Sequence, residues 1–325
     1  MTTDRIRRVL VVGAGTTGHS IAMVFAQGGY EVDLVDLKEE ILGKALQLIR
    51  SNLQTLKEEK MIKSGSITEI MSRIHPSTSI DVARKADLVV EAISEIPEAK
   101  RKLFRTLDQL CPPHTIFTSN TSYLNLFGLL RKIRPEKMLI CHWYAPPHLI
   151  PLVDLVKGVK TSPKTVKTVT EILTKLGKTV VEMKKFIPGY IVNRLQRAMA
   201  REIFYLLDEG YATAEEIDRA VKSSLGIRIP VVGVVQRYDF TGLDLSLTID
   251  RNPSIRLVSK DRRPETLTRL VEKGHLGVRS GRGFYNYPSK KASEILKERD
   301  KKLIKLLKFL KKERFTNVET NEPKR

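Results

Sequence analysis

Two groups of residues in this chain have types and spacings that could do chemistry. The first is Gly13-Ala14-Gly15-Thr16-Thr17-Gly18, which directly follows the β-branched run Arg8 to Val12 and opens a helical stretch. Between a strand and a helix, the first glycine permits a tight turn and the second lets backbone amides approach a pyrophosphate. The third lets the helix pack closely on the strand. The helix N-terminus then presents unpaired N–H groups and a positive dipole end to the anion. Asp36 closes the next β-branched run, where a carboxylate accepts hydrogen bonds from an adenosine ribose and disfavours a 2′-phosphate. The pattern predicts NAD rather than NADP, although Lys38 close by weakens the exclusion. The plainer alternative is a glycine turn with a capping aspartate.

The second group comprises Ser119-Asn120-Thr121-Ser122, Cys141-His142-Trp143-Tyr144-Ala145-Pro146-Pro147 and Pro151-Leu152-Val153-Asp154. Each is expected where a strand ends at the carboxyl edge of a sheet, the edge at which such folds bind ligands. The imidazole of His142 can accept a hydroxyl proton near neutral pH while hydride leaves the same carbon. A carboxylate on its other nitrogen would fix the tautomer, and Asp154 is the candidate. A lone histidine at a strand end is more often structural, so the residues alone leave both readings open. Trp143 and Tyr144 are adjacent and point to opposite faces of a strand, so they cannot together form a cage for a quaternary ammonium.

The elements that must position these groups follow from periodicity. Strands are predicted at Arg8–Val12, Glu31–Val35, Leu88–Ala92, Thr115–Thr118, Met138–His142, Pro151–Val156 and Thr179–Met183. Helices are predicted at Thr16–Gly28, Lys38–Lys60, Glu98–Leu110 and Pro163–Leu176. This alternation describes an α/β, Rossmann-type doubly wound parallel sheet. Strand signals stop after Met183, and the boundary is expected near Lys184–Pro188, giving an NAD-binding domain at 1–186 and a mostly helical domain at 187–325. In the latter, helices are predicted at Gly189–Asp208, Ala214–Lys222 behind a Thr213 cap, Leu243–Ile249 and Pro264–Lys273. A loop of Gly274, Gly277, Gly281 and Gly283 delivers Phe284 and Tyr285, and a basic amphipathic helix over Ala292–Phe315 leads to frayed residues after Thr316.

The 325 residues carry a formal net charge of +20, which raises nucleic acid as a partner. From Pro288 onward, 13 Lys and Arg stand against 6 Asp and Glu, so the tail alone holds +7 of it. No nucleic-acid module accompanies the charge, and a phosphorylated small molecule or simple solubility explains it equally well. No apolar run suits a membrane span and none resembles a secretory signal. Cys111 and Cys141 lack metal-ligand spacing and fit a reducing cytoplasm, with no metal expected.

Over nearly its whole length the chain resembles the L-3-hydroxyacyl-CoA dehydrogenases. The matching motifs, in order, are Gly13 to Gly18, Val89-Val90-Glu91-Ala92, Ser119 to Ser122, His142 with Pro146, Pro188-Gly189-Tyr190-Ile191-Val192-Asn193-Arg194, Gly242-Leu243-Asp244 and Gly281-Arg282-Gly283-Phe284-Tyr285. The resemblance implies that His142 is the catalytic base, that Asp154 occupies the place of a glutamate, and that Ser122 and Asn193 hold the substrate and the nicotinamide region. It implies cofactor contacts from Gly13, Gly15, Thr16, Thr17, Gly18, Asp36, Glu91 and Asn120, with NAD as cofactor, an acyl-CoA substrate and a homodimer formed through the helical domain. Each assignment has a plainer counterpart. Ser122 could cap a helix over Tyr123–Leu130, Asn193 could pair with backbone, Glu91 could be a strand-end acid, and Lys100 reads as a solvated charge. Lys57, Lys60, Lys63 and Arg73 suit coenzyme A phosphates or, more plainly, a solvated helix face.

The chain departs from the family at Ala145, usually Asn, at Asp154, usually Glu, and at Thr17, usually Met. His148 is a candidate to replace the lost amide. The expected activity is NAD-dependent oxidation of an L-3-hydroxyacyl-CoA. The alternatives are a dehydrogenase of a free 3-hydroxy acid, such as a sugar acid or carnitine, and a non-catalytic NAD- or acyl-CoA-binding homologue.

Overall fold

The β-branched runs form one eight-stranded sheet in a computed structural model that describes residues 6–63, 65–255, 257–259, 263–287 and 291–313. The strands are β1 (Arg8–Val12), β2 (Glu31–Val35), β3 (Ile74–Ser77), β4 (Leu88–Glu91), β5 (Ile116–Ser119), β6 (Met138–Trp143), β7 (Leu152–Lys157) and β8 (Thr179–Met183). Their order is β3-β2-β1-β4-β5-β6-β7-β8. β1 to β6 run parallel, β7 is antiparallel to β6, and β8 is parallel to β7. The chain leaves β1 toward β2 on one side and enters β4 on the other. This switch opens a crevice at the carboxyl edge of the sheet. β4, β5 and β6 are buried at every residue, as strands covered on both faces must be.

Six helices belong to this first unit, Met1–Ile191: α1 (Gly18–Gln27), α2 (Glu39–Glu58), α3 (Ser66–Ser72), α4 (Pro97–Leu110), α5 (Leu126–Leu129) and α6 (Pro163–Lys175). Phe104 and Leu107 of α4 pack with Leu10, Val89, Phe117 and Ile140 of the sheet. Two expectations change here. β3 was not foreseen, because its sequence Ile-His-Pro-Ser has no β-branched run, and its proline is tolerated on the edge strand it forms. The strand carrying Asp154 was expected to end at the carboxyl edge; β7 instead starts there, because it runs against β6, and Asp154 still lies at that edge opposite His142.

Among its described residues the second unit, Val192–Arg325, is mostly helical: α7 (Val192–Asp208), α8 (Ala214–Ser223), α9 (Leu225–Val232), α10 (Arg237–Thr241), α11 (Leu243–Asp250), α12 (Glu265–Glu272) and α13 (Ala292–Lys312). α7 starts three residues later than expected because Gly189 and Tyr190 take positive φ, +82° and +50°. Thr213 caps α8 in a reciprocal capping box with Glu216. Asp208 at the end of α7 accepts the amides of Glu265 and Thr266 and so caps α12. The glycine loop brings Phe284 onto Phe204 of α7, rings stacked at 6.2 Å, and Tyr285 onto Asp218 of α8 at 2.9 Å. α9 and α10 were missed: α9 is a β-branched, proline-containing run and α10 is five residues long. The last two residues expected for the basic helix, Arg314 and Phe315, and the residues that follow them lie outside the described residues.

Gly18 packs α1 against the glycine turn so closely that a Cβ there would sit 1.7 Å from the carbonyl oxygen of Gly13. At Gly15 a Cβ would meet nothing within 4 Å. Gly18→Ala should therefore destabilise the chain by about 1–3 kcal/mol in urea unfolding, as overpacking does, while Gly15→Ala leaves the midpoint near wild type. Equal midpoints for the two variants would contradict this packing.

Candidate active site

The glycine turn is braced from β2. Gly13 donates to the Val35 carbonyl at 2.7 Å, and the Asp36 carboxylate accepts Ala14 N and Leu37 N, each at 2.8 Å. Gly13 has φ +103°, and a Cβ there would strike the Ala92 carbonyl oxygen at 2.6 Å, so the fold itself demands glycine. It makes no such demand at Gly15, where the space beside the turn is open. Thr17 starts α1 without a side-chain cap, and Thr16 is exposed. His19 reaches back to the Gly15 carbonyl at 2.7 Å, and burial lowers its pKa. An open turn, an uncapped helix N-terminus and a carboxylate at the adjacent strand end fit a dinucleotide.

Beside the turn lies a buried charge network. Lys100, expected as a solvated charge, is only 1% exposed and contacts Glu91 Oε1 at 2.5 Å and Glu95 Oε2 at 3.1 Å. Glu91 was expected among the cofactor contacts. Its side chain is instead fully buried and engaged by Lys100, the Ser119 hydroxyl and the Ile93 amide. Burial pushes the Glu91 carboxyl up, against the pull of Lys100. Glu95, which sequence reasoning missed, accepts the Thr121 hydroxyl and the amides of Ser122, at 2.7 Å, and Tyr123, at 3.2 Å. Burial alone would raise Glu95, but the Thr121 hydroxyl and Lys100 outweigh it and hold the carboxyl below its ordinary value. The loop after β5 is thus tied down residue by residue. Asn120 adds a tie to β6 by accepting the Trp143 amide at 2.8 Å. Ser122 caps no helix: α5 begins at Leu126 behind Asn125.

That loop brings Ser122 to His142. Ser122 Oγ lies 3.2 Å from His142 Nε2. The imidazole, 4% exposed at residue level, stands edge-on to Tyr144 at 4.6 Å and tilted against Tyr190 at 4.8 Å. Tyr190 donates to the Thr121 carbonyl at 2.6 Å, and burial pushes its hydroxyl pKa up. Asp154 is the register partner of His142 across β6 and β7, but its Oδ2 stops 3.7 Å from Nδ1, beyond hydrogen-bond range. That oxygen accepts the Tyr144 hydroxyl at 2.6 Å instead. The expected direct His–Asp hydrogen bond is not made. His142 Nδ1 and Asp154 Oδ1 are both buried without a partner among the described residues. Such atoms cost about 1–3 kcal/mol each and call for an explanation in function.

Trp143 faces the other way, buried against Phe25 and Lys178, as strand alternation requires. Lys178 donates to the carbonyls of Pro147 and Ile150, and burial pushes its pKa down to about 8. His148, a candidate replacement for the missing amide, hydrogen-bonds Ser20 of α1 at 2.8 Å instead. Ala145 is exposed, and Asn193 lies in the first turn of α7 in the second unit. Arg73 is engaged by Glu69 and by the Ala26 carbonyl, at the opposite end of α1 from the glycine turn. No group of three or more His, Cys, Asp or Glu among the described residues is placed to hold a metal ion.

Residues 8–186 match the model of the 3-hydroxyacyl-CoA dehydrogenase NAD binding domain, and residues 189–287 match that of the C-terminal domain. The chain belongs to the 3-hydroxyacyl-CoA dehydrogenase family. It is 36% identical to the probable 3-hydroxybutyryl-CoA dehydrogenase of Bacillus subtilis (strain 168), over 88% of this chain and 99% of that one. A solved 5-formyl-3-hydroxy-2-methylpyridine 4-carboxylic acid 5-dehydrogenase superposes with TM-score 0.84 at 29% identity, over 94% of this chain and 99% of that one. The (S)-3-hydroxybutyryl-CoA dehydrogenase of Ralstonia eutropha superposes with TM-score 0.68 at 31% identity, over 87% of this chain and all of that one (100%).

Within the family frame, the Lys100 network is the support on which Ser122 hangs. Lys100→Met would leave two carboxylates, Glu91 and Glu95, without their cation. A broken buried pair costs about 3–5 kcal/mol, and a loss of that size is expected in chemical unfolding. A wild-type midpoint for Lys100→Met would show that the three charges do not depend on one another.

Proposed function

We propose that this chain oxidises L-3-hydroxyacyl-CoA thioesters reversibly to 3-oxoacyl-CoA. The observation that carries the reading is His142 Nε2 beside Ser122 Oγ, 3.2 Å apart, on a domain of the NAD-binding type. Nε2 accepts the proton of the substrate hydroxyl, and Ser122 Oγ hydrogen-bonds the same oxygen and orients it. Asp154, across from Nδ1, offsets the charge of the imidazolium. NAD, when bound, supplies the acceptor for the hydride. Within the turn from Gly13 to Gly18, whose Gly13 and Ala14 amides are taken by the Val35 carbonyl and the Asp36 carboxylate, the amides of Gly15, Thr16 and Thr17 would hold the pyrophosphate, Asp36 the adenosine ribose and Asn120 the nicotinamide side. Asn193 is assigned to the substrate on the resemblance alone. A cytoplasmic setting fits Cys111 and Cys141, two buried thiols whose pKa values burial raises to about 11 and about 12.

A second reading has support of its own. The 5-formyl-3-hydroxy-2-methylpyridine 4-carboxylic acid 5-dehydrogenase, named for a substrate without coenzyme A, gives the higher TM-score of the two structures, 0.84 against 0.68. Ala145 in place of the usual asparagine also removes a side-chain amide near the base. A panel of 3-hydroxybutyryl-CoA, longer thioesters and free 3-hydroxy acids, followed at the NADH absorbance, separates the readings. Turnover of the thioesters is expected. Turnover of free acids alone would favour the second reading, and none on any substrate would favour a non-catalytic binding protein.

Asp36 sets the cofactor preference. A 2′-phosphate about 4 Å from a carboxylate costs roughly 4 kcal/mol at an effective dielectric near 20, and even half of that exceeds a tenfold preference for NAD. Asp36→Ala should weaken NAD binding modestly and strengthen NADP binding. Equal affinity of the wild type for both cofactors would contradict this role.

The chain is expected to form a homodimer through the second unit that buries part of the Gly189 to Lys222 helices, α7 and α8. In support, α7 to α12 bury no residue, and Val235, Phe240 and Leu243 are 76%, 76% and 64% exposed. Exposed apolar side chains such as these are what a partner subunit would cover. Solution scattering at micromolar concentration should give a dimer mass, and a monomer mass would contradict it.

A further inference from the structure

His142 and Asp154 face each other in register, yet Nδ1 and Oδ2 stop 3.7 Å apart. The aspartate arm leaves that gap open in the arrangement the structure shows. Asp154 is fully buried, and among the described residues its only ion-pair neighbour is His142. The group that does hold the carboxylate is Tyr144, whose hydroxyl donates to Oδ2 at 2.6 Å, the same oxygen that faces His142. Tyr144 follows His142 by two residues and so shares its side of the backbone. Its ring stands edge-on to the imidazole at 81°. The tyrosine therefore touches both members of the pair, packing on one and hydrogen-bonding the other.

We propose that Tyr144 is a positioning residue: its hydroxyl fixes the Asp154 carboxylate toward Nδ1 and so keeps the imidazole proton there, leaving Nε2 free toward Ser122. The inference rests on the reading of His142 as the proton acceptor. A carboxylate held at 3.7 Å favours the tautomer that points N–H at it, and in a buried site that preference is poorly screened. An unanchored aspartate could rotate away, and either nitrogen could then carry the proton. When Nε2 takes the substrate proton, the imidazolium already faces an anion whose position the tyrosine has set.

Tyr144→Phe removes the hydroxyl and keeps the ring. NMR of the full chain labelled with nitrogen-15 histidine should show His142 with its proton on Nδ1 in the wild type and a mixture of tautomers in Tyr144→Phe. In the same variant kcat on 3-hydroxybutyryl-CoA should fall about 10- to 100-fold, the range that one hydrogen bond to a charged group spans, with KM unchanged. Adding Asp154→Glu, whose arm is one methylene longer, should restore both the tautomer and kcat. An unchanged tautomer in Tyr144→Phe overturns the proposal, as does a changed tautomer with undiminished kcat. If the wild type turns over no hydroxy substrate, it is the reading of His142 that fails, and the tautomer comparison still decides the role of Tyr144.

Discussion

The first unit's site depends on one buried cation. Lys100 projects from α4 into a pocket where Glu91 ends β4 and Glu95 precedes α4, and both carboxylates converge on it. Each then organises backbone as well. Glu91 takes Ser119 at the end of β5, and Glu95 takes Thr121, Ser122 and Tyr123 in the loop beyond. The loop after β5 is thereby tied to β4 and to the segment before α4 by side-chain carboxylates as well as by backbone. An isolated carboxylate in such a position would be expelled or neutralised; two sharing a lysine can stay. The position of Ser122 relative to His142 follows from this arrangement.

The second constraint is the reversal of direction at β7. A parallel strand beside β6 would require a crossover, whereas the antiparallel return sets Asp154 directly opposite His142 with short side chains facing each other. Register alone brings the imidazole and the carboxylate together. Side-chain length then decides whether they touch, and with aspartate they do not. Tyr144 and Tyr190 close the imidazole in from two sides, so the ring keeps its orientation without a direct carboxylate bond.

Much of this was legible from residue order because it depends on local pattern. The β-branched runs at β1 and β2, the glycine turn between β1 and α1, and the Thr213 cap are each encoded within a few residues. β3 was not legible, since an edge strand with proline carries no periodic signal. Lys100 misled for a related reason: on an amphipathic helix a lone lysine looks solvated, and only the fold brings two carboxylates to it. Glu95 sits in a non-helical segment before Pro97 and carries no motif of its own. The identities of His142, Asp154 and Ser122 were readable, and so was their meeting at one edge. The missing bond between the first two was not, because it turns on a distance set by strand register. Tyr144 could be assigned to one face by alternation, but its hydroxyl partner depends on β7, which lies beyond any local window.

The central claim is that His142 takes the substrate proton. Its most direct test is His142→Gln, which keeps a hydrogen-bonding side chain and removes the titratable nitrogen. The account predicts that kcat on 3-hydroxybutyryl-CoA falls about 10³-fold while NAD affinity stays near wild type, since the cofactor residues lie elsewhere. Turnover within a few-fold of wild type would contradict it.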